Sequence, residues 1–286
     1  MTYSIVARDP ENGHLGVAVQ SHFFGVRAVC PWVWSGFGAI ATQAMAEISY
    51  GPLGLERLRS GATATDALAA LVAADDDSAT RQVAIVDANG VIAVHTGERC
   101  IAVAGHRSGD GWSMQANMMR GHGVPDAMAD AFTAATGDLA DRMLAALDAA
   151  EAAGGDVRGK QSAALVVGYA DPAQPWERLI DVAVDDTSDP LGELRRLVRV
   201  RRAYLGDSSC ADAMGDNPEL LFWAGVAMAA AGQVDEAKPL LARAYAADPG
   251  WALLLDRLPA AGLFPDDPAL LAALRPAKDA RRRPRT

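Results

Sequence analysis

Two Asn-Gly dipeptides, Asn12-Gly13 and Asn89-Gly90, each sit between short runs of apolar and β-branched residues. Such a dipeptide supplies neighbouring residues that tolerate positive φ, the backbone a tight hairpin requires, so it commits the flanking runs to antiparallel pairing. Residues 3–8 and 15–20 flank the first turn, and residues 81–87 and 91–95 flank the second. A further apolar run at 36–43 leads into a helical stretch through Leu58. Ser60-Gly61 ends that stretch, and a second helix follows to Ala74. Residues 100–105 and 111–118 read as more strands. Residues 125–153 are Ala-rich with helical spacing, broken at Thr136-Gly137-Asp138, which predicts two helices. Residues 162–168 and 179–185 complete the pattern as a last strand pair.

Strands bracketing two blocks of paired helices predict an α+β fold over residues 1–190, a four-layer α/β/β/α sandwich with two packed antiparallel sheets. Residues 191–212 read as a linker helix, Arg-rich and amphipathic. Residues 213–275 read as a small all-α unit, and residues 276–286 as a basic, solvated tail. Within the all-α unit, Leu221, Gly225, Met228, Ala237, Leu241, Ala244 and Pro249 follow the spacing of one tetratricopeptide repeat. A stable array needs about three such repeats. The alternative is a helical hairpin packed on the first domain.

Of the 286 residues, 50% are hydrophobic and 22% charged, the usage of an ordinary globular chain. Asp and Glu (36) outnumber Lys and Arg (26), for a formal charge of -10. That balance argues against nucleic acid or an anionic membrane as the main partner. No apolar run reaches membrane-spanning length, and the N-terminus has neither the basic nor the apolar region of a signal peptide. Cys30, Cys100 and Cys210 are odd in number and far apart, which fits reduced thiols and a cytoplasmic chain. Neither the His nor the Cys residues have metal-ligand spacing, and no glycine-rich phosphate loop occurs, so no metal or cofactor is expected.

Thr2 is the residue with the most chemical promise. Removal of Met1 would leave it with a free α-amine, and that amine can serve as general base for its own hydroxyl. Thr2 would also open the first strand of the sandwich, where N-terminal-nucleophile (Ntn) hydrolases carry their nucleophile. The segments Ser4-Ile5-Val6-Ala7-Arg8-Asp9, Gly16-Val17-Ala18-Val19-Gln20-Ser21 and Gly38-Ala39-Ile40-Ala41-Thr42-Gln43 resemble a bacterial family of Ntn-hydrolase-like proteins of unknown function. Arg81-Gln82-Val83-Ala84-Ile85-Val86-Asp87, His95-Thr96-Gly97 and Gly159-Lys160-Gln161-Ser162-Ala163-Ala164-Leu165 extend the resemblance to nearly the whole chain. Members of that family often carry a C-terminal region assigned to peptidoglycan binding, and residues 213–275 are similar to it. The resemblance implies the fold and a hydrolytic activity, with no fixed substrate.

A weaker similarity to proteasome-type β-subunits implies further roles. Gln20 falls where those proteins carry an acidic residue, and residues 37–42 contain no counterpart of their lysine. Asp156, before a small-residue strand, matches their later aspartate, and Lys160 and Arg81 are the candidates to replace the lysine in space. Oxyanion donors are expected from Gln43 and Asn117, whose amides offer N–H groups without charge. Ser21, His22, Arg81, Lys160 and Ser162 are the candidate substrate-binding residues. Ser21 and His22 are strand neighbours and point to opposite faces, so they form no dyad by adjacency. Phe23-Phe24 and Pro31-Trp32-Val33-Trp34 form either an apolar wall near the site or core.

Two functions follow. One is an amidohydrolase acting on a small amide, ureido compound or short peptide through Thr2. The other is a non-catalytic ligand- or cell-wall-binding protein on the same fold, which the missing lysine favours. Exposed sheet edges and Ala-rich helices suggest a homodimer.

Overall fold

The computed structural model describes residues 2–215 and 217–276. The chain divides into two compact units, one ending at Arg201 and one beginning at Arg202. The first is a mixed α+β unit with two antiparallel sheets. Its order is β1 (Thr2–Arg8), β2 (Leu15–Ser21), β3 (Pro31–Trp34), β4 (Gly38–Ala44), α1 (Tyr50–Arg59), α2 (Ala64–Ala73), β5 (Arg81–Asp87) and β6 (Ile92–Thr96). There follow β7 (Gly105–Gly109), β8 (Trp112–Asn117), α3 (Val124–Ala134), α4 (Leu139–Ala152), β9 (Ser162–Gly168), β10 (Arg178–Val184) and α5 (Pro190–Tyr204). The larger sheet has the order β10-β9-β2-β1-β8-β7, the smaller β3-β4-β5-β6.

β1 lies in the middle of the larger sheet, so both its faces are covered. Thr2 is opposite Ser21 on one side and Asn117 on the other. Alternation along the strand sends Thr2, Ser4 and Val6 to one face and Tyr3, Ile5 and Ala7 to the other. On the first face, Val6, Val17, Val19 and Val166 pack against Ala39, Ala41, Ala84 and Val86 of the smaller sheet. On the second, Tyr3, Ile5 and Leu165 pack against Met128, Met143, Leu147 and Leu194 of the helices. The far face of the smaller sheet, through Ile40, Val83 and Ile85, meets Leu55, Leu68 and Leu71.

The helix boundaries have local causes. Thr63 Oγ1 accepts from the Asp66 amide at 3.1 Å to start α2, and Asp138 Oδ1 accepts from the Asp141 amide at 3.0 Å to start α4. Gly51 and Gly54 let α1 lie close on the smaller sheet, because a Cβ at Gly51 would fall 2.3 Å from the Trp32 ring.

Two segments differ from the sequence reading. Residues 31–34 form an edge strand, tolerated despite Pro31 because an edge position needs fewer ladder donors. Its alternation turns Val33 into the intersheet core and leaves Trp32 and Trp34 half-buried beside α1. Residues 100–104 are not a strand; the strand is Gly105–Gly109, paired with β8 through the tight turn at Asp110-Gly111. Gly111 has φ 73°, so this dipeptide is a third hairpin signal of the Asn-Gly type.

The second unit is all-α among its described residues. Helices Pro218–Ala230 and Val234–Ala247 pair closely, and Gly225 permits it, since a Cβ there would lie 2.7 Å from Leu241. Helices Gly250–Arg257 and Pro268–Leu274 add Leu255, Leu271 and Leu274 to a core built on Phe222, Ala237 and Leu241. Asn217 and Asp267 cap the first and last of these helices through their side chains. The basic tail lies outside the described residues, apart from its first residue.

Candidate active site

Because β1 and β2 are exactly paired to their ends, Thr2 and Ser21 meet at one rim of the larger sheet. Thr2 Oγ1 lies 3.1 Å from Ser21 Oγ, and Thr2 is only 6% exposed. Both residues line a cavity of about 480 Å³. Its remaining wall comes from three loops and the end of β4. The loop after β2 gives Phe23, Val26, Val29 and Cys30; the chain around the end of β4 gives Thr42, Gln43, Ala44, Met45, Ala46 and Ile48. Arg81, Met118 and Arg158 complete the lining. Ala44 (φ 69°) and Met118 (φ 58°) are the non-glycine residues with left-handed backbone among those described, and both line this cavity. Such backbone costs on the order of 1–3 kcal/mol per residue and gathers at functional sites.

Behind Thr2 lies a buried, uncharged amide network between the sheets. Gln82 Nε2 donates to Thr96 Oγ1 at 3.0 Å, to the Gly105 carbonyl at 3.1 Å and to the Ala116 carbonyl at 3.0 Å. Those acceptors fix the direction of the Gln82 amide, so its Oε1 faces inward and accepts from Gln43 Nε2 (2.8 Å) and Asn117 Nδ2 (3.0 Å). The same two amides approach the Thr2 carbonyl, Gln43 at 3.3 Å and Asn117 at 3.4 Å. Gln43 Oε1 accepts from Ser4 Oγ at 2.6 Å, and Gln115 Nε2 donates to Ser4 Oγ at 2.7 Å. Asn117 Oδ1 is buried without a hydrogen-bond partner.

The nine residues singled out by the sequence separate into two groups. Thr2, Ser21, Gln43 and Arg81 line the cavity together. Asn117, Asp156, His22, Lys160 and Ser162 are not among the lining residues. The Asn117 amide N–H groups are directed at Gln82 and the Thr2 carbonyl. Asp156 is 2% exposed and holds its own loop: it accepts from the Arg158 amide at 2.8 Å and from the Arg158 guanidinium at 3.2 Å, and from the His22 amide at 3.2 Å. Ser162 Oγ donates to the Phe23 carbonyl and accepts from the Val26 amide, which fixes the loop carrying one cavity wall. His22 Nδ1 is buried without a partner, and Lys160 makes no hydrogen bond or ion pair among the described residues. Gln20, at the acidic position of the proteasome-type pattern, faces the helices beside Tyr3 rather than Thr2, and both its side-chain polar atoms lack partners.

Two residues missed by sequence reasoning have clear roles, Arg158 in the cavity lining and Gln82 in the network behind Thr2. Arg158 is held by Asp156, and Gln82 organises the network. The available signal for Gln82 was a glutamine inside each of three strands, at Gln43, Gln82 and Gln115. Arg81 donates to Asp75 at 2.8 Å and to the Met45 carbonyl at 2.7 Å, so it fixes the cavity rim. The hydrogen bond from Arg81 holds the Asp75 carboxyl well down, at about 2. Burial pushes the Cys30 thiol up to about 12, so the sulfur beside the cavity is a neutral thiol at neutral pH. Among the described residues no group of three or more His, Cys, Asp or Glu side chains is arranged to hold a metal ion.

A family model of unknown function, DUF1028, matches residues 2–194. The chain belongs to the DUF1028 family. A crystal structure of protein SPO2555 from Silicibacter pomeroyi, also described as DUF1028, is similar to it. The two are 31% identical, with a TM-score of 0.62, over 70% of this chain and 88% of that one. No curated protein matches. The DUF1028 match covers every cavity residue and ends inside α5. No helix among the described residues is long and apolar enough to cross a membrane.

Proposed function

We propose that this DUF1028 chain is an amidohydrolase of the Ntn type whose nucleophile is Thr2, exposed as the N-terminal residue by loss of Met1. The observation that carries the reading is Thr2 at the first position of a central strand, its hydroxyl 3.1 Å from Ser21 Oγ and lining a 480 Å³ cavity. The packing order of helices, large sheet, small sheet and helices, read from the three cores, supports an α/β/β/α sandwich of that class.

In this reading the Thr2 α-amine takes the hydroxyl proton as Oγ1 bonds to the substrate carbonyl carbon. The amine then returns that proton to the leaving nitrogen as the C–N bond breaks, leaving an ester on Thr2. Water cleaves the ester with the same amine as base. Gln43, which lines the cavity, and Asn117 both donate to Gln82 Oε1 and to the Thr2 carbonyl, so the two amides hold the strand end that carries the nucleophile in register. Ser21 orients the Thr2 hydroxyl. The substrate is a small amide, a ureido compound or a short peptide. The helical second unit, with its paired helices, supports the tetratricopeptide-like or peptidoglycan-binding reading of residues 213–275. The free cysteines support a cytoplasmic site of action.

The test is intact mass of untagged protein before and after exposure to an amine- and hydroxyl-reactive β-lactone. The expected result is a chain lacking Met1 with a single adduct on Thr2, lost in Thr2→Ala. A processed chain that takes no adduct would refute the assignment. One observation favours a second reading, a non-catalytic binding protein: the interior beside Thr2 holds the neutral amides of Gln43, Gln82 and Gln115, and no lysine lines the cavity.

A further inference from the structure

We propose that the cavity beside Thr2 is an acyl-chain site, taking an aliphatic chain headed by a carboxylate or by the amide derived from it. This deepens the reading of Thr2 as nucleophile and rests on it for the amide.

Three observations carry the inference. Much of the lining is apolar, contributed by Val26, Val29, Cys30, Met45, Ile48 and Met118. Its volume of about 480 Å³ lies in the range of small-ligand cavities. Phe23 (50% exposed), Met45 (56%) and Ile48 (46%) leave apolar surface open to water around it, which a chain entering the cavity would cover.

The charge of the lining is one-sided. Arg81 and Arg158 both line the cavity, whereas their partners Asp75 and Asp156 do not, and no other carboxylate among the described residues does. Each guanidinium is fixed by its carboxylate, so the cations stay at the wall whatever enters. Because the guanidinium halves of these two ion pairs line the cavity and their carboxylates do not, a carboxylate or a polarised carbonyl is accommodated better than an ammonium. The hydroxyls of Thr2 and Ser21 line the same cavity as the two guanidinium groups, so a bound head group shares that space with the nucleophile.

The test is calorimetric binding of butanoate, hexanoate, octanoate and decanoate, with octylamine as control, to the full chain, which needs no turnover. Affinity should rise up to about fourfold per methylene, the equivalent of about 0.8 kcal/mol, and then level off as the cavity fills. Octylamine should bind at least tenfold more weakly than octanoate. Ala46→Trp, on the rim, should abolish the dependence on chain length with the melting temperature retained. Ile48→Asp, at an exposed rim position, serves the same purpose should the first variant not fold. An affinity independent of chain length, octylamine equal to octanoate, or rim variants that bind like the parent would each overturn the proposal. Loss of octanoate binding with β-lactone labelling of Thr2 intact removes the acyl site and keeps the nucleophile; binding without labelling does the reverse.

Discussion

A single side chain, Gln82, decides the direction of every amide near Thr2. Three acceptors surround its Nε2, and its Oε1 accepts from both Gln43 and Asn117. Replacing it with Met, of similar volume, would remove the amide donor to the Gly105 and Ala116 carbonyls and one acceptor from both Gln43 and Asn117. Each unsatisfied buried group costs about 1–3 kcal/mol. Gln82→Met should therefore lose about 2–4 kcal/mol in urea unfolding after partial relaxation, and its β-lactone labelling at Thr2 should slow at temperatures where the variant is still folded. A pH effect belongs to the same scale. The Arg81 hydrogen bond holds the Asp75 carboxyl at about 2, below the ordinary value of about 4. The stabilisation is thus complete above that ordinary value and is lost as pH falls through about 2. The pair is partly screened, so its worth is on the order of 1 kcal/mol. Asp75→Asn should be less stable than the parent at neutral pH and should converge with it near pH 2, measured by thermal melting across the range. Equal stability at neutral pH would show that the pair only sets the position of Met45.

At the scale of elements, the cost of a glycine-bearing helix shows what α1 is for. Gly51 and Gly54 each weaken the helix by about 1 kcal/mol relative to Ala. They are there because the smaller sheet needs a close cover: a Cβ at Gly51 would lie 2.3 Å from the Trp32 ring, and one at Gly54 would lie 2.5 Å from Ile40 Cδ1. Gly51→Ala should therefore destabilise by about 1–3 kcal/mol, overpacking outweighing the gain in propensity, and a rise in melting temperature would contradict this packing. The elements themselves were largely legible because their signals are local. Asn12-Gly13 and Asn89-Gly90 mark hairpins, and Thr63 and Asp138 mark helix starts. The edge strand Pro31–Trp34 was hidden because its alternation serves two different cores, Val33 in one and both tryptophans in another. The site was legible only at Thr2, Ser21, Gln43 and Arg81. Arg158 acts through Asp156, two residues away, and Gln82 through partners 14 to 39 residues away that the fold brings together. The side-chain direction of Gln20, away from Thr2, depends on strand register, which composition does not carry.

For the whole molecule, the question is where the unit that carries Thr2 ends. Contacts divide the chain at Arg201, whereas the sequence suggested a domain over residues 1–190, and the family match stops at residue 194. The core decides between these positions. Leu191, Leu194 and Val198 of α5 are 5%, 0% and 0% exposed, and they close the helix-facing core that contains Tyr3 and Ile5 of β1. Arg201 Nε also donates to the Leu179 carbonyl of β10 at 3.0 Å. Burying an aliphatic side chain of that size is worth about 1.5–3 kcal/mol, so losing three approaches the 5–15 kcal/mol that holds a domain folded. A chain ending after Tyr204 should unfold cooperatively and keep β-lactone labelling at Thr2. A chain ending after Asp189 should open the helix-facing core beside α4 and β10 and fail to give a cooperative transition. If the shorter chain instead melted like the longer one, α5 would belong energetically to the helical unit, and the strand carrying Thr2 would be held by α3 and α4 alone.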